Sequence, residues 1–140
     1  MKNLAIAFVL VSFALLAAAC GPNAAQDAGK AIKSAPVGNN LTVTLSNRDG
    51  VLKHGDEEFL LTFKDASGKT VDVGAVALNF FMPAMGTMPA MNDQTTFTTT
   101  STPGVYRGKV KIEVAGEWQA QVSYEGPAGS GKTSFPVMAQ

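Results

Sequence analysis

The amino-acid sequence predicts an all-β fold, an antiparallel immunoglobulin-like β-sandwich of about seven strands. After Asn40 the chain consists of short runs rich in Val, Thr, Phe, Leu and Tyr, the residues that favour strands. Gly, Asp, Asn and Ser separate these runs at intervals of roughly 8 to 12 residues, as in sandwich domains. The first run, residues 41–45, alternates apolar residues with Thr, so one of its faces should lie in a core.

Residues 1–19 have the pattern of a signal peptide. Lys2 precedes an apolar run over residues 4–19, which Ser12 alone interrupts and which ends in small residues. This run is shorter than the roughly 20 residues that a helix needs to span a bilayer, which favours cleavage over a transmembrane anchor. The segment Leu16-Ala17-Ala18-Ala19-Cys20-Gly21 resembles the lipobox of bacterial lipoproteins. The resemblance implies cleavage before Cys20 and lipid attachment to its thiol.

A lipid on Cys20 predicts a protein of the cell envelope that is attached to a membrane. In a Gram-negative cell, Gly21 in place of Asp after the cysteine favours the outer membrane, with the domain facing the periplasm. Cys20 is the only cysteine of the chain, so no intramolecular disulfide can form. The exported domain should therefore be stable through its apolar core alone.

Residues 20–39 are predicted to form a flexible, lipidated tether. They are mostly small and polar, with Ile32 and Val37 as the only large aliphatic residues. Residues 40–140 then form a single domain. Without residues 1–19 the chain carries ten Lys and Arg against 11 Asp and Glu and has no basic run, which argues against nucleic acid as a partner.

Six further strands follow the first. Residues 118–124 place Trp, Ala, Val and Tyr on one face of their strand, and this pattern predicts Trp118 as an anchor between the two sheets. The six strands are predicted at about residues 59–63, 75–81, 95–100, 105–114, 118–124 and 133–137.

Residues 126–133 match the phosphate-loop pattern G-x-x-x-x-G-K-[ST] at every fixed position. That pattern binds phosphate only when a helix follows the loop, because the helix N-terminus and the loop N–H groups hold the anion. Seven residues follow Thr133, Pro136 among them, which leaves no room for such a helix. We expect a glycine-rich turn between the last two strands and no nucleotide.

Four of the six methionines lie in residues 82–91, three positions apart. Thioether sulfur is a soft donor that suits Cu(I). Pro83 and Pro89 exclude a regular helix, whereas a β-turn centred on Gly86 and Thr87 would bring two of the methionine Cα atoms within about 7 Å. Methionines also fill cores and form docking surfaces, and the residues alone leave both interpretations open. The predicted Cu(I) ligands are Met82, Met85, Met88 and Met91.

His54 is the only histidine and lies in a predicted loop. It is a candidate fifth ligand if the fold brings the two loops together, and otherwise a solvated side chain. A blue-copper centre is excluded, because it requires a cysteine ligand and Cys20 is assigned to the lipid.

Several motifs in a fixed order resemble the YtkA-like domain, which is related to FixH proteins. They cover about residues 40–138 and comprise Met-Pro-Ala-Met-Gly at 82–86, Pro-Gly-Val-Tyr at 103–106 and Ala-Gly-Glu-Trp at 115–118. The resemblance implies a small extracytoplasmic β-sandwich associated with copper handling or with the assembly of respiratory oxidases. Family members often carry a His after the first motif. Here Thr87 occupies that position, which favours an all-methionine site.

Two functions therefore follow from the sequence. The first is a lipid-anchored protein that binds Cu(I) or hands it over through the methionine loop. The second is an interaction domain whose loop docks on a membrane respiratory or efflux complex without metal. With a single histidine and no convincing carboxylate pair, the chain offers little for acid–base or nucleophilic catalysis, so we do not expect an enzyme.

Overall fold

A computed structural model describes residues 29–140 of the chain. These residues form nine β-strands and no helix: β1 Lys30–Gly38, β2 Leu41–Asn47, β3 Gly55–Lys64, β4 Ala75–Met82, β5 Met91–Gln94, β6 Thr96–Thr99, β7 Val105–Ile112, β8 Gly116–Gly126 and β9 Gly129–Ala139. Accordingly, this part of the chain has no helix long and apolar enough to cross a membrane. The predicted signal peptide and Cys20 lie outside the described residues.

The strands form two packed antiparallel sheets, in the orders β1-β2-β3-β7-β6 and β5-β4-β8-β9. If β2 is taken as the first strand of an immunoglobulin-like domain, the first sheet contains the A-B-E-D order and the second the C-F-G order. The predicted immunoglobulin-like sandwich is confirmed. Its strands number nine instead of seven, because β1 is additional and because residues 91–99 contribute one strand to each sheet. At Thr95, between β5 and β6, the chain crosses from one sheet to the other.

The β1 strand corrects the predicted boundary between tether and domain. Residues 30–38, expected in the flexible tether, pair with β2 from Lys30↔Asn47 to Gly38↔Leu41. Val37 is fully buried, and Ile32 packs against the core. The sequence did not predict this strand because the segment contains few apolar residues. β1 is an edge strand, and its backbone hydrogen bonds to β2 stabilise it more than its side chains do.

The core lies between the two sheets and is built by alternation along each strand. On β8, the residues at 118, 120, 122 and 124 are at most 3% exposed, which confirms Trp118 as a core anchor. The Trp118 Nε1–H donates to the Val114 carbonyl oxygen at 3.1 Å. Edge-on aromatic contacts join the sheets, with ring centroids 6.0 Å apart for Phe59 and Phe80.

The glycine-rich segment at 126–133 is a hairpin. Gly126 pairs with Gly129, so Pro127 and Ala128 form the turn that the sequence predicted between the last two strands. Lys132 and Thr133 lie within β9. The segment therefore has the extended geometry of two paired strands.

The β4–β5 connection lies at one end of the sandwich, which we call the hairpin end. Here Gly116, at the start of β8, pairs with Ala139 and lies against the Met82 methyl group. The backbone N–H of His54 donates to the Gln140 carbonyl oxygen (2.8 Å), so β3 also begins at this end. β1 runs parallel to β3, with β2 between them. The N-terminal end of β1 is therefore directed toward the hairpin end as well.

Candidate functional site: the methionine hairpin

Residues 82–91, which we call the methionine hairpin, extend the β4–β5 pair beyond the sandwich. Met82 pairs with Met91 at the end of the regular ladder. Further out, the Met85 N–H donates to the Met88 carbonyl oxygen (3.1 Å), and the Met88 N–H donates to the Met85 carbonyl oxygen (2.9 Å). Gly86 has a φ of 56°, the left-handed value that a two-residue hairpin of type II′ requires at its first central position. The predicted β-turn is confirmed.

This pairing gives the two Met-Pro-Ala-Met copies a common geometry. The copies at 82–85 and 88–91 are the two arms of one hairpin, and Gly86-Thr87 is its tip. Each methionine of one arm is thus opposite a methionine of the other. The spacing of three residues along the chain becomes two cross-strand pairs, an inner pair (Met82 and Met91) and an outer pair (Met85 and Met88).

The inner pair belongs to the hydrophobic core. Met82 is 2% exposed, and a Cβ added at Gly116 would lie only 3.1 Å from its terminal methyl carbon. Met91 is partly buried and packs against the same core. To ligate a metal at the surface, the Met82 side chain would have to leave its packed position, which costs free energy.

The outer pair lies in solvent. Met85 is 56% exposed and Met88 is 43% exposed. Residues that exchange both backbone hydrogen bonds across an antiparallel pair have Cα atoms about 5.5 Å apart, with their side chains on the same side of the ribbon. The two flexible thioethers can therefore converge on one ion.

The hairpin around the outer pair is uncharged. Residues 83–90 are all exposed, and none of them is an acid or a base. The nearest acid along β5, Asp93, is buried and accepts a hydrogen bond from the Glu113 backbone N–H at 3.1 Å. The side-chain donor atoms of residues 83–90 are therefore the two thioether sulfurs and the Thr87 hydroxyl, all of them neutral.

His54 lies at the hairpin end, as a shared site would need. Its ring Nδ1 is 3.1 Å from the Gln140 carbonyl oxygen, which leaves Nε2 as its second nitrogen for any ligand. The structure thus brings His54 to the correct end of the sandwich, on the β2–β3 connection, and not into the hairpin itself.

Met138 also lies at the hairpin end, on the outward face of β9, and is 54% exposed. The alternation in β9, with Phe135, Val137 and Ala139 buried, predicts that Met138 faces out. The exposure of Met138 therefore follows from the sequence pattern of β9 alone. Within residues 29–140 there is no group of three or more His, Cys, Asp or Glu side chains that could hold a metal.

The fold and this hairpin define a class of small antiparallel β-sandwich that carries a methionine-rich β4–β5 connection. A model of the YtkA-like family matches residues 37–123, well over half of the chain and inclusive of the whole hairpin. The chain belongs to the YtkA-like family, as its motifs predicted. Searches of curated proteins and of solved structures gave no match.

Proposed function

We propose that this protein is a lipid-anchored envelope protein that binds Cu(I) and hands it over through the outer methionine pair, Met85 and Met88. The role is that of a carrier, so copper is bound and released without catalysis. One observation carries the proposal. Two soft thioethers are held opposite each other on a β-turn, exposed to solvent, while Met82 is buried in the core and Met91 is partly buried against it.

The position of the hairpin fits a carrier attached to a membrane through Cys20. The described residues begin immediately before β1, and the N-terminal end of β1 is directed toward the hairpin end. At roughly 3.5 Å per residue, the segment from Cys20 to Lys30 spans at most about 35 Å. A lipid on Cys20 would therefore keep the outer pair within reach of membrane proteins that supply or accept copper, such as an oxidase under assembly.

A competition titration tests the proposal. The full lipidated chain in detergent is titrated with Cu(I) under reducing, anaerobic conditions against a chromophoric Cu(I) chelator. We expect Cu(I) to be retained against the chelator and Zn²⁺ not to bind, because thioethers suit soft ions. Replacing both Met85 and Met88 with Leu should remove Cu(I) binding and leave the circular dichroism spectrum unchanged, since both side chains are exposed.

The matched control is Met138→Leu, which removes a thioether of similar exposure at the same end of the sandwich. This variant should bind Cu(I) like the parent protein. If the wild-type chain retains no Cu(I) against the chelator, or if the double variant retains as much as the wild type, the copper proposal is wrong.

The uncharged surface of residues 83–90 favours a second function, in which the hairpin docks on a membrane respiratory or efflux complex without metal. Exposed methionines adapt to varied apolar partners. A photo-crosslinking residue at Thr87, the tip of the hairpin, would capture such a partner equally well with and without a Cu(I) chelator. Capture that depends on Cu(I) would instead favour the carrier.

A further inference from the structure

The outer methionine pair provides only part of a Cu(I) coordination shell. Two neutral thioethers leave a Cu(I) ion open to further soft donors. The inner pair does not fill the gap, because Met82 is 2% exposed and Met91 packs against the core. Within one chain, the completing ligands must therefore come from elsewhere at the hairpin end.

Among residues 29–140, the two other soft or borderline donors at this end are poorly placed. Met138 lies on β9, which β8 separates from β4, so it is roughly 10 Å away across the sheet. The outer pair projects beyond the last β4–β5 ladder pair, which increases that separation. His54 lies on the other sheet's β2–β3 connection, with Nδ1 against the Gln140 carbonyl oxygen.

The tip of the hairpin is well suited to meet an identical tip. Residues 83–90 are exposed and uncharged, so two copies can approach without burying a charge. Each tip offers the same pair of thioethers on one side of its ribbon. A two-fold contact between two tips would place four sulfurs around one ion, because such a contact uses the same patch on both partners.

On this basis we infer that Cu(I) bridges two copies of this chain, with Met85 and Met88 of each copy as its ligands. This inference rests on the proposed copper function. Each tip comprises only the eight exposed residues 83–90, fewer than the roughly 20–30 residues that each partner contributes to a stable interface. The dimer should therefore form only with the metal and should open when an acceptor protein offers competing soft donors.

Native mass spectrometry of the full lipidated chain, released from detergent, tests the inference. Cu(I) is added in steps from zero to a twofold excess over protein. We expect a species of two chains and one copper that is most abundant near half an equivalent of copper. It should decline in excess copper, because each chain then binds its own ion. X-ray absorption of the half-loaded sample should show about four sulfur neighbours around copper.

Four further results would separate the claims. Met138→Leu should form the bridged species as the wild type does, while the Met85→Leu, Met88→Leu double variant should form none and bind no copper. If a single chain with one copper is the only loaded species at every ratio, and the double variant removes it, the bridge is wrong and the carrier proposal stands. If the wild-type chain binds no copper at all, both are wrong.

Discussion

Replacing Met82 with Ala separates the structural methionines of the hairpin from the exposed ones. Met82 is 2% exposed, and its terminal methyl group lies against Gly116, which has no side chain to fill a void. Truncation of a buried Met to Ala costs about 2–5 kcal/mol, with larger costs where the surroundings cannot collapse. We expect about 3 kcal/mol for Met82→Ala, which lowers Tm by roughly 10–15 °C for a domain of this size.

Thermal and urea unfolding of the full chain, followed by tryptophan fluorescence, measure this loss. Trp118 is buried on β8 near Met82, so its emission reports the unfolding of this end. Two variants serve as controls. Met82→Leu conserves volume and should cost less than about 1.5 kcal/mol. Met85→Ala removes an exposed side chain and should change stability by less than about 0.5 kcal/mol.

The reasoning would be refuted if Met82→Ala were as stable as the wild type, or if Met85→Ala cost as much as Met82→Ala. Either result would mean that the inner and outer pairs do not differ in burial. The cluster would then not consist of a core pair and a surface pair, and the argument for a two-methionine site would fail.

Three further predictions concern the fold and the anchor. Gly108→Ala should lower stability by about 1–3 kcal/mol or more in urea unfolding, because its Cβ would lie 2.5 Å from the Phe59 ring; an unchanged midpoint would contradict this packing. The Gly74 N–H and the Tyr106 hydroxyl hold the pKa of Asp72 below its usual 3.8. The ionised carboxylate therefore stabilises the fold above that pH, and the contribution is lost as the pH falls through the lower folded pKa. Asp72→Asn should weaken the dependence of stability on acid pH, and an identical acid profile would be the opposing result. Cys20→Ser should release the protein from the membrane fraction, and retention with the membrane would rule out the lipid anchor.

The sandwich was predictable because alternation is a local signal with a direct physical cause. Residues 41–45 and 118–124 each point every second side chain toward the core, and the structure buries those side chains. β1 was missed for the opposite reason. Its residues are mostly exposed, so backbone pairing with β2 defines the strand and the side-chain pattern does not.

The crossing of the chain from one sheet to the other at Thr95 could not be predicted from a local sequence pattern either. The run of Thr and Phe at 96–99 has the same strand-forming pattern whether it belongs to one sheet or to the other. The transfer depends on partners distant in the chain: Phe80 pairs with Asp93 in one sheet, and Phe97 pairs with Gly108 in the other. Tertiary context therefore decides this strand.

The candidate site was predictable in composition and turn geometry. Gly86 between two methionines was sufficient to predict the turn that joins Met85 and Met88. Which methionines are buried and which are exposed was not predictable. Met82 is packed against Gly116, which lies 34 positions later in the chain. The predicted set of four methionines and His54 narrows in our proposal to the two exposed methionines.

The most direct test of the central claim is a Cu(I) titration of the ¹³C-methyl-methionine-labelled protein followed by NMR. We predict that the ε-methyl signals of Met85 and Met88 shift together as Cu(I) is added. The signal of the exposed Met138 should stay in place, and that of the buried Met82 should move little. If no methyl signal responds to Cu(I), or if Met138 responds and the outer pair does not, the account is contradicted.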